Sequence, residues 1–171
     1  ATLLPPYDTL ETLSCLETLL KEYHPRRLLA LGDSFHDAAS FAMLPYEMVS
    51  RLELLRMSVE EWVWVLGNHD RKLEAALPGK VIHTLNETGI CFAHDETDAL
   101  PGQPAMIGHY HPKARLSLRG ASVSRPCFAW DEQLMILPAF GAYTGGLSVH
   151  DEAIKNLFPQ GFYAMLTGVP R

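Results

Sequence analysis

The run Trp62-Val63-Trp64-Val65-Leu66 constrains the fold of this chain more than any other stretch. It is long enough for one buried strand, and its continuous apolar character suits a strand covered on both faces. The run stops at Gly67, and Asn68, His69 and Asp70 follow at once: an amide, an imidazole and a carboxylate in a row. Open α/β sheets build their sites at the carboxyl ends of buried strands. One short segment therefore predicts both a core strand and the edge at which chemistry is placed.

The flanking sequence fills in the architecture. Leucines at 10, 13, 16, 19 and 20 give a helical period over residues 9–23. Asp8 is the predicted N-cap, with Glu11 at the capping-box position, and Pro25 ends the pattern. Residues 27–31 read as a strand ending in Gly32-Asp33. Residues 45–57 return to helical spacing, and 71–76 form a short helix closed by Pro78-Gly79. Helix, strand, helix, strand implies parallel strands with crossover connections. The second half differs. Short strands are predicted at 80–83, 89–93, 105–107, 115–118, 127–130 and 134–137, separated by Asn86-Glu87, Pro101-Gly102, Arg119-Gly120 and Asp131-Glu132. Such a series describes mostly antiparallel or mixed sheet. Gly141, Gly145 and Gly146 mark a tight loop before a short helix near 152–158. No linker divides the 171 residues, so a single domain spanning 1–171 is expected.

Composition excludes several classes. Hydrophobic residues at 47% and charged residues at 20% are those of an ordinary globular protein. Cys15, Cys91 and Cys127 form no CxxC pair, which argues against a disulfide framework or a structural zinc site and for a reducing, cytoplasmic setting. No apolar stretch approaches the roughly 18 residues of a membrane span, and no signal-peptide pattern is present. The formal charge of −6 argues against indiscriminate nucleic-acid binding through a broad basic surface. It leaves room for a local phosphate site, since bound divalent cations invert the local sign.

Asp33, Asn68-His69, His94 and His109-Tyr110-His111 each follow a predicted strand directly. His24, His83 and His150 are assigned to surface or packing roles. Alone, an Asp after a strand is most often a helix cap, and a lone His is most often a hydrogen-bonded or surface residue. Together they form a mixed nitrogen and oxygen donor set without thiolate, suited to manganese, iron, zinc or magnesium and not to a closed structural zinc site. Two such ions roughly 3.5–4 Å apart activate water and clamp phosphoryl oxygens for in-line attack.

The ordered set Gly32-Asp33, Gly67-Asn68-His69-Asp70, a lone His94 and Gly108-His109-Tyr110-His111-Pro112 resembles the calcineurin-like metallophosphoesterases. Their pattern runs DxH, GDxxD, GNHD or GNHE, a single H, then GHxH. Two further stretches, Gly32-Asp33-Ser34-Phe35-His36-Asp37 and residues 137–146, resemble the bacterial branch called ligase-associated DNA damage response endonuclease, or ICC-like phosphoesterase. The resemblance covers nearly the whole chain. It implies an α/β fold of two mixed sheets in a β-sandwich flanked by helices, and two divalent metals, Mn2+ first among Mg2+, Fe2+ and Zn2+. By the same resemblance Asp33 bridges both metals, Asn68, His94 and His109 serve one, and His111 serves the other. His69 acts as general acid or electrostatic stabiliser near the leaving group, with Asp70 supporting its loop; an imidazole suits proton delivery near neutral pH.

Two departures stand out. The family's opening DxH strand is missing, and since the chain opens at Ala1 the expectation is that this segment lies upstream. At GDxxD, position 36 is His and the acid falls at Asp37; His36 is expected either to face substrate phosphate or to pack beside the loop. No acidic residue occurs from Gly102 to Trp130, whereas Lys113, Arg115, Arg119 and Arg125 do. This basic ribbon is either a guide for a nucleic-acid backbone or a solvated hairpin, with Lys113 and Arg115 nearest the His109-His111 motif. Tyr110 and Tyr143 either stack on bases or pack beside glycine loops. The leading expectation is a metal-dependent phosphodiesterase, a nuclease acting in DNA repair, with DNA ligase or helicase association implied only by the branch. A small-molecule phosphodiesterase or nucleotide phosphatase, and a non-catalytic scaffold of the same fold, remain the alternatives.

Overall fold

The computed structural model describes residues 7–35, 38–69, 71–118 and 120–168. The chain divides into two compact units, one of Ala1–His83 with Phe140–Tyr143, the other of Thr84–Ala139 with Thr144–Arg171. It is α/β, with a three-stranded and a seven-stranded sheet and few helices.

The first unit holds α1 (Tyr7–Tyr23), β1 (Arg27–Leu31), α2 (Ala38–Ala42), α3 (Tyr46–Met57), β2 (Glu61–Val65) and β3 (Lys80–Ile82). Its sheet has the order β1-β2-β3, and both pairings are parallel. The register places Leu31 beside Val65, so the two chains leave the sheet at the same level. The central strand is buried on both faces, as its sequence predicts. Trp62 and Trp64 lie on one face with Leu13 and Leu20 of α1 and Leu52 and Leu55 of α3, while Val63 and Val65 on the other are equally buried. Trp64 satisfies its indole N–H at the Pro78 carbonyl, 2.8 Å away. Arg51 of α3 reaches Glu17 of α1 at 2.6 Å. Residues 140–143 return to α1: the Ala142 amide donates to Thr12 Oγ1 (3.1 Å) and the Tyr143 hydroxyl to Glu11 (2.9 Å).

The second unit holds β4 (Leu85–Glu87), β5 (Ile90–Phe92), β6 (Ala105–Ile107), β7 (Lys113–Leu118), β8 (Ala121–Trp130), β9 (Leu134–Ile136), α4 (Glu152–Lys155) and β10 (Tyr163–Leu166). Its strand order is β10-β8-β9-β6-β5-β4, with β7 on β8. The sheet is mixed. β5-β6 and β6-β9 are parallel and the other pairings are antiparallel. Its core joins Cys91, Ala93, Ala105, Ile107, Ala129 and Ile136 with Ile154 and Phe158. Asp151 caps α4 by accepting from the Ala153 amide.

Several expectations need correction. Residues 80–82 extend the parallel sheet of the first unit and do not join the mixed one. Asn86-Glu87 is not a turn but part of β4; the turn is Thr88-Gly89, both at positive φ, which is the geometry that closes a two-residue hairpin. Asp8 lies within the first turn of α1 instead of preceding it, and Glu11 is engaged by Tyr143 and closes no capping box. The helix at 71–76 is a single 3-10 turn, Arg71–Leu73. Three elements escaped prediction. α2 is too short to show a period, β10 is only four residues long, and residues 121–126 of β8 are mostly small or polar and end in Pro126. That proline sits where only its carbonyl is needed, accepting from the Thr167 amide at 2.8 Å.

Candidate metal centre

In the first unit the two parallel strands deliver Gly32-Asp33 and Gly67-Asn68-His69 at the same edge. Asp33 has φ 48°, a left-handed conformation that L-residues other than Gly, Asn and Asp rarely adopt. The His69 backbone N–H donates to Asp33 Oδ1 at 2.9 Å and so aims the carboxylate. Gly67 has no alternative: a Cβ there would collide with both the backbone nitrogen and the carboxylate of Asp33. The glycine of the Gly-Asn-His-Asp motif is thus explained by close approach. Asn68 and His69 are exposed beside it.

In the second unit β5 and β6 repeat the arrangement. Phe92 pairs with Met106, so the residues two positions on, His94 and Gly108, are again neighbours. The Gly108 and His109 amides both donate to the His94 carbonyl, at 3.1 and 3.0 Å. His94 is 2% exposed, and its ring meets that of His109 edge to face with centroids 4.9 Å apart. His94 Nε2 lies 2.9 Å from His109 Nδ1. Asp95 Oδ2 stands 3.9 Å from His109 Nε2, on the far side of the ring. At that distance the carboxylate makes no hydrogen bond to the ring; it places negative charge beside it, while His109 Nδ1 and His94 Nε2 share an N–H···N hydrogen bond.

The electrostatics of this loop follow from its bonds. Burial works to raise the Asp95 pKa, but the Thr97 amide (2.9 Å) and hydroxyl (2.8 Å), followed by Glu96 and then by His109, hold the carboxyl below its ordinary value. Tyr110 donates its hydroxyl to Glu96 at 2.7 Å, and burial followed by that bond pushes the phenol well above its ordinary value. It stays a neutral donor. His111 has φ 47°, and Gly146 is pressed against it so closely that a Cβ would strike the His111 carbonyl.

Asp33, Asn68 and His69 are therefore gathered in one unit, and His94, His109 and His111 on adjoining loops of the other. Asp70, His36 and Asp37 lie outside the described residues. Lys113 and Arg115 lie on β7, directly beyond His111-Pro112. Asp95 and Glu96, which orient His109 and Tyr110, were not singled out from the sequence; the one available signal was an acid adjacent to the isolated His94.

The donor set of the second unit fits a cation. The facing His94 and His109 nitrogens belong to a group of side chains that could hold a metal ion. A nitrogen pair with carboxylate support and no sulfur suits borderline divalent ions.

This two-sheet α/β architecture, with ligand-type residues at the ends of parallel strands, is a metallophosphoesterase-like fold. The crystal structure of Pseudomonas putida nuclease MPE is 30% identical in sequence, with a TM-score of 0.70 over 88% of this chain and 75% of that one. The chain belongs to the same family as that nuclease. No family model and no curated protein sequence matches it.

Proposed function

We propose that the chain is a metal-dependent phosphodiesterase acting on nucleic acid, most closely a DNA-repair nuclease of the calcineurin-like class. The observation that carries the proposal is the His94–His109 pair, whose facing imidazole nitrogens belong to a group of side chains that could hold a metal ion. It is supported by the similarity to a nuclease. Asp33 and Asn68 in the first unit and His94, His109 and His111 in the second are the residues that would hold divalent ions, Mn2+ foremost. When bound, such ions supply Lewis-acid charge that lowers the pKa of water and offsets charge on phosphoryl oxygens.

The chain's own groups do the remaining work. The His69 amide and the absent Cβ at Gly67 hold Asp33 in its left-handed turn, so the carboxylate is aimed before any ligand arrives. Asp95 places negative charge beside the His109 ring. His69, exposed beside Asn68, is read as the group that passes a proton to the leaving alkoxide. A cytoplasmic setting is part of this reading and rests on the cysteine spacing in the sequence; among the described residues no helix is long and apolar enough to cross a membrane. A DNA ligase or helicase partner rests on the sequence resemblance alone.

The test is His69→Ala, assayed for Mn2+-dependent cleavage of a DNA oligonucleotide beside metal content by mass spectrometry. Cleavage lost with metal content retained supports the catalytic role. No turnover in either protein, with both binding DNA equally, would replace this reading with a non-catalytic scaffold.

A further inference from the structure

The seven-stranded sheet has two faces of different kind. In the second half of β8 the odd-numbered residues go inward: Cys127 and Ala129 are fully buried, and Ala114 and Leu166 from the neighbouring strands pack around Cys127. The even-numbered residues of β8 share the other face with their cross-strand partners. Along it, Arg115 stands opposite Ser124, Lys113 opposite Pro126, Met165 opposite Phe128 and Tyr163 opposite Trp130. Tyr163 is 71% exposed and Met165 55%. The Tyr163 ring lies over Trp130 with centroids 5.8 Å apart and planes tilted by 31°. Water is a poor neighbour for such a surface, and cations with hydroxyls at one end and aromatic rings at the other make it amphipathic along its length.

Charge says what would cover it. The chain carries 20 acids against 14 lysines and arginines, yet none of those acids falls between Gly102 and Trp130. That stretch supplies β7 and β8, and on this face Lys113 and Arg115. The complement of a basic face in an acidic protein is a polyanion. Exposed aromatic rings select among polyanions, because only unpaired bases offer their π-faces for stacking.

We infer that this face is a docking platform for single-stranded nucleic acid, with bases stacked on Tyr163 and Trp130 and phosphates paired with Lys113 and Arg115. The inference deepens the nuclease reading and rests on it, naming where the strand lies beyond the ligand residues. From Ser124 to Trp130 the face runs about 20 Å, and comparable aromatic sheet faces stack two or three bases. The platform is also tied to the ligand loop. β7 begins two residues after His111, and Lys113 is pinned there by its amide on the Leu147 carbonyl (2.7 Å) and its carbonyl on the Val149 amide (2.9 Å).

The experiment is fluorescence anisotropy with an end-labelled 20-residue oligothymidylate, in EDTA to prevent cleavage, with folding of every variant checked by circular dichroism. Tyr163→Ala weakens binding about tenfold and Tyr163→Phe, which keeps the ring, restores it. The double change Lys113→Ala with Arg115→Ala lowers the slope of log K against log salt by about 1.4. A duplex of the same length binds at least tenfold more weakly than the single strand. Unchanged binding by Tyr163→Ala, equal affinity for duplex, or a dimer that Tyr163→Ala dissolves would each overturn the platform. Hydrolysis of bis(p-nitrophenyl) phosphate by the unaltered chain with Mn2+ reads the metal centre separately. If that hydrolysis occurs while the variants bind normally, the platform alone fails. If the variants lose DNA while the unaltered chain hydrolyses neither substrate, the platform stands and the phosphodiesterase reading fails.

Discussion

The two units solve one problem twice. In each, parallel strands end side by side, a ligand-type residue sits in left-handed backbone conformation, and a glycine without room for a Cβ holds it there: Gly67 against Asp33, Gly146 against His111. The left-handed conformation costs on the order of 1–3 kcal/mol at each position and persists only where surroundings enforce it. The units then diverge. Asp33 is aimed by main chain, through the His69 amide, and its neighbours Asn68 and His69 lie open to water. His94 and His109 are aimed by side chains, with His94 buried and Asp95 and Glu96 bracing the loop. A carboxylate tolerates exposure and needs only direction, whereas an imidazole must also be held in one tautomer. The difference in scaffolding follows the chemistry of the ligand.

That comparison breaks or sharpens by substitution. The largest effect is expected from Asp33→Ala. If one carboxylate serves the whole centre, cleavage falls more than about 100-fold, beyond what loss of an outer partner costs; retention of both metals and activity would remove Asp33 from the site. Next come Gly67→Ala and Gly146→Ala, each expected to destabilise by about 3 kcal/mol because backbone, not a yielding side-chain tip, meets the new methyl. Thermal melting should drop by roughly 6–12 °C for each, and a tolerated change at either position would show that its unit does not use the shared device. Asp95→Asn tests the side-chain scaffolding of the second unit. Titration calorimetry should find metal affinity reduced about 10–100-fold with little change in melting temperature, while an unaltered affinity would leave Asp95 a loop cap for Thr97 and nothing more.

The smallest effect concerns neither centre. Lys21 first and Arg51 after it hold the Glu17 carboxyl down at about 2, from an ordinary 4.5. A carboxyl lowered by folding stabilises the protein above its unfolded pKa, and that contribution disappears as pH falls through the folded one. The melting temperatures of the parent and Glu17→Gln should therefore differ at pH 7 and converge between pH 4.5 and 2. A difference that persists at pH 2 would assign the effect to packing between α1 and α3 instead.

Much of this was legible in the residues, for reasons that can be named. Strands β1, β2 and β6 were clear because an apolar run between turn signals has few other uses, and Leu31 and Val65 mark where the ligands begin. The ligand candidates were legible because each follows such a run. The pairing of β3 with β2 was not, since three residues carry no signal of partner. Nor was the Thr88-Gly89 turn, where a threonine accepts positive φ that sequence rules assign to Asn or Gly. Asp95 and Gly146 could not be identified because their roles exist only across space, in a distance to His109 and a collision with His111.

The return of residues 140–143 to α1 has a consequence for the order of assembly. Thr12 and Glu11 receive their partners from Ala142 and Tyr143, 130 and 132 residues later in the chain. At about 5–20 residues per second on the ribosome, those bonds cannot form until roughly 7–26 s after the first helix is made. The amino-terminal unit thus waits, one clasp short, while the whole intervening stretch is synthesised. A pause or nick near residue 140 would strand it in that unfinished state.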